Sequence, residues 1–562
     1  MGARVVPGWM RGYQRSWLSG DLVAGATLAA VAIPEVMGYT SIAQTPIVTG
    51  LYTVIFPTMV FALLGSSRLL VVGADSATAA LLSAGLTAAA INGVTPGSQE
   101  WLAYTSFVAL LCAGLLIIAR LLRLGFLGDF LSSSVLIGFL TGVGVQVFTG
   151  QIPDMLGVPK GSGNWFQQQW STITSLPDTN WVTLAFAVGT LALIFGFKRF
   201  APRVPGAIIA VVLSIAVSAA ISASSTYDVA VVGSVQGGFP PIGLPQGISL
   251  DNFGAMLGIA FSCFVLIIAQ SAATSRSFAM KHGQSVDVNR DIVGLSGANA
   301  AAGLSGTFVV NGSPTKTQIL DEYKGRTQLA NLTMSLIVLL FTLFLTGLLT
   351  DMPKAVLGAI VFVIGLDLVD IAGMKRVRHD ARIEFWIALI TAVVVCAVGV
   401  EQGIILAIVV SILEIIRRQY SPRKFVVGVT GEGEPTYEPA TPGAQSAPGL
   451  IVFRYDAELF YANANRFVDD VQRLIDSAPD QVEWLVLDAG SIDSVDYSAA
   501  MSLQGLMEYL TARGITPVLA HVDPSLLESL RTYEFEQWVP EDRMFGNLGD
   551  AVAAFASRQR AT

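Results

Sequence analysis

Along the first 420 or so residues, apolar stretches follow one another with only short polar breaks. They predict helical spans near 22–41, 48–64, 76–91, 101–119, 130–150, 179–197, 205–223, 253–273, 291–305, 314–322, 327–350, 353–370, 383–399 and 401–416. Several of these are shorter than the about 20 residues of a full bilayer crossing. Short or Gly- and Pro-interrupted apolar segments are what discontinuous transporter helices look like. The run Leu22–Ile33 is followed by Pro34–Glu35 and not by a small-residue cleavage site. It therefore predicts the first half of a broken transmembrane helix rather than a leader peptide. From Ser421 to Pro448 Gly, Pro, Thr and Glu dominate, which predicts a linker or a long loop. Beyond it come a strand pair or strand plus turn in GLIVFRYDAELFYANA, an amphipathic helix near Arg466–Ile475, and a buried strand at Trp484–Gly490. A helix over Ser498–Arg513, a strand ITPVLAHV and a final helix follow. This alternation predicts a small α/β domain, so the chain divides into 1–420, a membrane domain, and 421–562, a soluble domain including its linker.

Composition agrees with a membrane class. The chain is 53% hydrophobic and 13% charged, against about 25% charged in soluble proteins. The net charge is −8 with no basic patch interleaved with aromatics, which excludes nucleic acid as the expected partner. Cys112, Cys263 and Cys396 sit in apolar runs, and His282, His379 and His521 are scattered; neither set suggests a metal site or cofactor. With the N-terminus in the cytoplasm and spans alternating, Arg11, Arg15, Arg68, Arg120, Arg123, Lys198, Arg199, Arg203, Arg276, Lys281 and Arg290 fall inside. So do Lys324, Arg326, Lys375, Arg376, Arg378, Arg382, Arg417 and Arg418, while the other side receives Lys160 and Lys354. This bias places a multi-pass protein in the inner (plasma) membrane with both termini cytoplasmic.

Candidate chemistry centres on Val309–Leu320, VVNGSPTKTQIL. Asn311, Gly312 and Ser313 precede Pro314 at the expected first helical position, and Lys316 lies within the first turn. A helix start offers unpaired N–H groups and partial positive charge, so beside a lysine it suits an anion. Val71–Ala80, VVGADSATAA, has the same order of extended stub, Gly, small polar cap and helix. The two lie seven spans apart, so the halves are inverted and the two helix starts are expected to face each other at the midplane. Glu35 can titrate within the first span, and is expected to pair with Lys316 or to take up a coupling proton. There is no nucleophile–base pair and no GxxxxGK[ST] loop, which argues against an enzyme and against ATP-driven transport within this chain.

The motifs VAIPEVMGYTSIA (Val31–Ala43), GSSRLLVVGADSATAA (Gly65–Ala80), QSAATSRSFA (Gln270–Ala279), NGSPTKTQ (Asn311–Gln318) and VGVEQGI (Val398–Ile404) together resemble the SulP anion permeases. The stretch LVLDAGSIDSVDYSAAMSL (Leu485–Leu503) resembles a STAS domain. The resemblance implies an α-helical membrane protein of about 14 transmembrane segments in a seven-plus-seven inverted repeat, with core and gate domains, followed by a small α/β STAS domain. It implies elevator-type movement, a homodimer, and a cytoplasmic protein partner for the STAS domain. Carried over residue by residue, Asp75, Ser76, Ala77 and Thr78 and then Gly312, Ser313, Pro314, Thr315 and Lys316 cradle the anion. Tyr39, Gln270 and Thr274 add side-chain donors. Gln270 stands where cation-coupled relatives often have a carboxylate, and Ala74 where a proline is common. Ser498 matches the serine phosphorylated in signalling relatives, with Asp496 before it; as a serine it is also a fitting helix cap. The expected function is secondary transport of a small anion (sulfate, bicarbonate or a carboxylate), coupled to protons, from within membrane lipid. A nucleobase carrier of the same membrane fold and a membrane-anchored STAS regulator are the alternatives.

Overall fold

A computed structural model describes residues 8–10, 13–91, 93–123, 133–161, 163–201, 205–429 and 435–561. Arg11, Arg203, residues 130–132 of the expected fifth span and residues 430–434 of the expected linker lie outside the described residues. The chain divides by its contacts into two units, Met1–Ser411 and Ile412–Thr562.

The first unit opens with α1 (Leu18–Ala43), α2 (Ile47–Tyr52), α3 (Phe56–Leu64), a three-residue strand β1 (Val71–Gly73), α4 (Ser76–Ala89) and α5 (Gln99–Leu121). There follow α6 (Ser133–Leu156), α7 (Trp165–Thr174), α8 (Trp181–Phe200), α9 (Gly206–Ala220) and α10 (Ala223–Tyr227). The second half holds α11 (Phe253–Lys281), α12 (Val288–Leu304), β2 (Asn311–Ser313), α13 (Pro314–Glu322) and α14 (Leu329–Phe344). It closes with α15 (Lys354–Leu368), α16 (Ile371–Asp380), α17 (Arg382–Ala397) and α18 (Val400–Tyr420). Among the described residues seven stretches are long and apolar enough to cross a membrane alone, and α4, α9 and α14 are shorter apolar helices. One group packs α1, α3, α4, α5, α11, α12 and α14 together; a second packs α6, α8, α15 and α17. The two groups meet where α1 lies on α15 and α9 and where α4 lies on α6. Gly38 permits this approach: a Cβ there would fall 2.7 Å from Val361 Cγ2 on α15.

The first helix corrects one expectation. α1 runs unbroken through Pro34. Proline removes one N–H and crowds the carbonyl four residues back, but a packed membrane helix tolerates it because neighbours re-satisfy the freed group.

β1 and β2 pair antiparallel, with Val71 opposite Ser313, Val72 opposite Gly312 and Gly73 opposite Asn311. Two such short strands leave backbone groups without sheet partners, and buried side chains fill the gap. The Asn299 amide bonds both the N–H and the C=O of Val310, as a neighbouring strand would. Gln328 Nε2 donates to the carbonyls of Ser67 and Leu70, and Asn331 Nδ2 to Leu70. Ser271 Oγ accepts from Gly312 N–H, and Thr317 Oγ1 from Val71 N–H.

In the second unit β3 (Lys424–Val429), β4 (Pro435–Pro439) and β5 (Leu450–Tyr455) precede α19 (Ala464–Asp476), β6 (Trp484–Asp488) and α20 (Tyr497–Ala512). β7 (Thr516–Ala520), α21 (Pro524–Thr532), β8 (Met544–Phe545) and α22 (Leu548–Ala561) complete it. The sheet order is β4-β3-β5-β6-β7-β8, antiparallel up to β5 and parallel beyond. Alternate residues face opposite sides. Ile451, Phe453 and Leu485 pack with Phe467 of α19 and Leu503 of α20, while Leu450, Val452 and Val486 pack with Leu548 and Phe555 of α22. The stretch expected as a linker or long loop instead supplies the β3–β4 hairpin. Its Gly and Pro content drew attention from the run Phe425–Val427, whose β-branched and aromatic residues favour a strand.

Replacing Asn299 by Leu orphans two buried backbone groups of Val310, at about 1–3 kcal/mol each. The Asn299→Leu protein is expected to melt at a clearly lower temperature in detergent than the parent; an unchanged melting temperature would show that these bonds are not needed.

Candidate functional site

The β1–β2 pairing brings the starts of α4 and α13 together. Asp75 caps α4, its carboxylate accepting from Ala77 N–H at 3.1 Å. Ser313 caps α13, its hydroxyl accepting from Lys316 N–H at 3.4 Å, with Pro314 in the first turn. Both caps are residue types that satisfy helix-start donors. Thr78 Oγ1 donates to Asp75 C=O, and the Ser313 and Thr315 hydroxyls lie 3.1 Å apart. Ser76, Ala77, Thr78 and Gly312 are buried, and Thr315 is exposed.

Lys316 is fully buried, and its ammonium ties three elements together. Nζ lies 3.3 Å from Glu35 Oε2 of α1. It donates to the carbonyl of Ala74, just before α4, at 2.9 Å. It also stands 4.8 Å from the centre of the Tyr39 ring, a cation–π distance. The Tyr39 hydroxyl donates to Glu35 Oε1, one helical turn away on α1. Glu35 Oε2 has no hydrogen bond, so its ion pair with Lys316 is what balances it. Asp75 is within electrostatic reach of Tyr39, Lys316 and Glu35.

Thus Glu35, Tyr39, Asp75, Ser313 and Lys316 converge. Gln270 and Thr274 take other positions. Gln270 Oε1 accepts from Asn311 Nδ2 at 2.7 Å, so it reaches the site through β2. Thr274 gives its hydroxyl proton to the Gln270 carbonyl on its own helix. Asn311 is held a second time by Ser271 Oγ at 2.7 Å. Sequence reasoning missed Ser271, Asn299 and the Ala74 carbonyl. Polar residues inside otherwise apolar runs were the available signal for the first two, and a backbone acceptor leaves none.

In the second unit Ser498 is exposed in the first turn of α20, but the cap is Asp496, whose carboxylate accepts from Ala499 N–H at 2.8 Å. Asp496 also accepts from Tyr461 N–H at 2.8 Å. The suggested capping role of serine therefore belongs to its acidic neighbour, which already satisfies the helix start.

A discontinuous pair of opposed helix starts around a buried ion pair, inside a largely apolar helical body and followed by an α/β domain, defines a helical membrane transporter fold. The chain belongs to the sulfate permease family: residues 18–391 match that family, and residues 441–551 match the STAS domain. It is 36% identical to a probable sulfate transporter of Mycobacterium tuberculosis (strain CDC 1551 / Oshkosh), over 98% of this chain and 97% of that one. It is 26% identical to sulfate transporter 1.2 of Arabidopsis thaliana, over 97% and 86%. Its fold matches that of the murine solute carrier 26 family member A9 anion transporter in the inward-facing state, with a TM-score of 0.86 at 22% identity, covering 99% and 96% of the two chains. The transmembrane domain of the cyanobacterial bicarbonate transporter BicA matches with a TM-score of 0.61 at 24% identity, over 70% of this chain and 98% of that one.

Removing one member of a buried ion pair leaves the other uncompensated, at about 3–5 kcal/mol. Lys316→Met is therefore expected to lower the melting temperature strongly, and the double variant Glu35→Gln/Lys316→Met to recover much of the loss. Equal melting of the single and double variants would show that the pair is not coupled.

Proposed function

We propose that the protein is a secondary active transporter of a small oxyanion, with sulfate the first candidate, and that the Glu35–Lys316 pair couples transport to protons. The observation that carries this reading is the fully buried Lys316 between two opposed helix starts, paired with the Glu35 carboxylate. Intramembrane ionisable groups are expensive and tend to be functional. With Glu35 ionised, its carboxylate occupies the lysine as an internal anion. With Glu35 protonated, Lys316 and the α13 start are released to a substrate anion. A lysine is a point charge rather than a bidentate fork, so it accepts oxyanions of several shapes; sulfate is favoured here because the relatives at 36% and 26% identity are named as sulfate transporters. Bicarbonate and a carboxylate are the other candidates.

Alternating access follows from the two helix groups. The group of α1, α4, α11 and α12 carries the site, and the group of α6, α8, α15 and α17 lies against it; elevator-type movement of the first along the second would carry the anion across. The charge bias of the loops supports cytoplasmic termini in the plasma membrane, and we expect a homodimer. Regulation through Ser498 would place a phosphate next to Asp496, where like charge opposes the attraction of the helix start. A cytoplasmic protein partner is the more favoured role for the STAS domain.

Uptake by the full chain in liposomes tests the reading. Labelled sulfate, bicarbonate and fumarate are offered in turn, with and without an inward proton gradient. One anion is expected to accumulate, faster with the gradient, and Lys316→Ala should reduce its uptake by at least tenfold. Glu35→Gln is expected to transport with little pH dependence; unchanged pH dependence in that variant would remove Glu35 from the coupling step.

A further inference from the structure

The site holds one more carboxylate than the coupling just described needs. Besides the partly buried Glu35, three buried acidic residues lie among the described residues of the membrane body: Asp21, Asp75 and Asp291. Two of them are anchors between elements. Asp21 accepts from Arg326 N–H, Thr327 N–H and Thr327 Oγ1. Asp291 accepts from Ser66 N–H, Ser66 Oγ and Ser67 N–H. Asp75 differs. Its donors are N–H groups of its own helix start, and among the described residues no side chain donates to it. It sits at the first of the two opposed helix starts, one residue from the carbonyl that binds Lys316 Nζ.

The charge count follows. Among the described residues the titratable groups within electrostatic reach of Asp75 are Glu35 and Tyr39 from α1 and Lys316 from α13. With both carboxylates ionised, the site carries two negative charges and one positive. A divalent oxyanion added to that set leaves three net negative charges in a low-dielectric interior, an arrangement that is strongly unfavourable. Taking up one proton on Glu35 leaves two. Taking up a second on Asp75 leaves one, the same net charge as before the anion entered. The second proton also changes what Asp75 can do. An ionised carboxylate only accepts hydrogen bonds, whereas the protonated acid has one O–H to donate. The cap oxygen can keep its Ala77 N–H while the O–H turns to an anion oxygen.

We infer that Asp75 is a second proton-binding residue of the substrate site, and that a divalent oxyanion such as sulfate binds together with two protons, one on Glu35 and one on Asp75. The balance is electroneutral: two protons and one divalent anion enter, and both leave on the other side with no change in the protein's charge. This rests on the transport reading above and deepens it by assigning the stoichiometry and the residue.

The test is labelled-sulfate binding to the purified full chain as a function of pH. Where the free site is ionised and the bound site protonated, each linked proton changes affinity tenfold per pH unit. The parent is therefore expected to approach a 100-fold loss of affinity per pH unit, and Asp75→Asn and Glu35→Gln each about tenfold. The double variant should be nearly flat. Asn is as good a helix cap as Asp, and Asp75→Ser, also a cap, provides a second variant if Asp75→Asn folds poorly. If both Asp75 variants keep the parental slope while Glu35→Gln lowers it, the inference fails and the transport reading stands. If neither position alters the slope, the inference falls together with the coupling role of Glu35; if sulfate does not bind saturably to the parent at any pH, the inference falls together with sulfate as the substrate.

Discussion

In a bilayer every backbone polar group must find a partner within the protein, and the short β1–β2 crossing is where that demand is hardest to meet. Two chain segments leave helical geometry in the middle of the membrane body, yet only three residue pairs join them. The buried amides of Asn299, Gln328 and Asn331 and the hydroxyls of Ser271 and Thr317 complete the hydrogen bonding. The stubs can then end in the middle of the body, and two helices can begin there. The pair of opposed helix starts is thus a by-product of solving a backbone problem. A helix that crossed without interruption would place its N-terminus at the surface and leave no helix start at the centre.

The lysine adds what the helix starts lack. Partial charges at a helix terminus fall off within the first turn, whereas a full ammonium holds a counter-charge in place. Because Lys316 binds the Ala74 carbonyl as well as Glu35, it fixes the spacing between the two half-helices and the first span. Its position therefore serves architecture and chemistry together, and substitution there disturbs both.

Much of this was legible in the sequence because the relevant signals are local. Gly73, Ala74 and Asp75, and Gly312, Ser313 and Pro314, announce a stub followed by a capped helix in each half. The Glu35–Lys316 pairing could be anticipated because two opposite charges in so apolar a body have few other partners. What escaped was non-local or negative in character. Pro34 suggested a break, but packing around α1 lets the helix continue. Gln270 and Thr274 read as side-chain donors one turn apart; that Gln270 is held by Asn311 depends on which elements pack together, while Thr274 bonds a carbonyl of its own helix. The β3–β4 hairpin was hidden because its strand residues lie inside a stretch whose average composition is that of a loop.

The hairpin also sets a boundary. β4 forms one edge of the six-stranded sheet, and all five of its residues are exposed. An open edge invites another strand, which is how soluble domains come to aggregate or to exchange segments. Here the first and last residues of that edge are Pro435 and Pro439, which have no N–H to offer, and Glu438 adds a charge beside the second. A newcomer would find the ladder interrupted at both ends. The domain can thus be held at high local density without its sheets growing into one another.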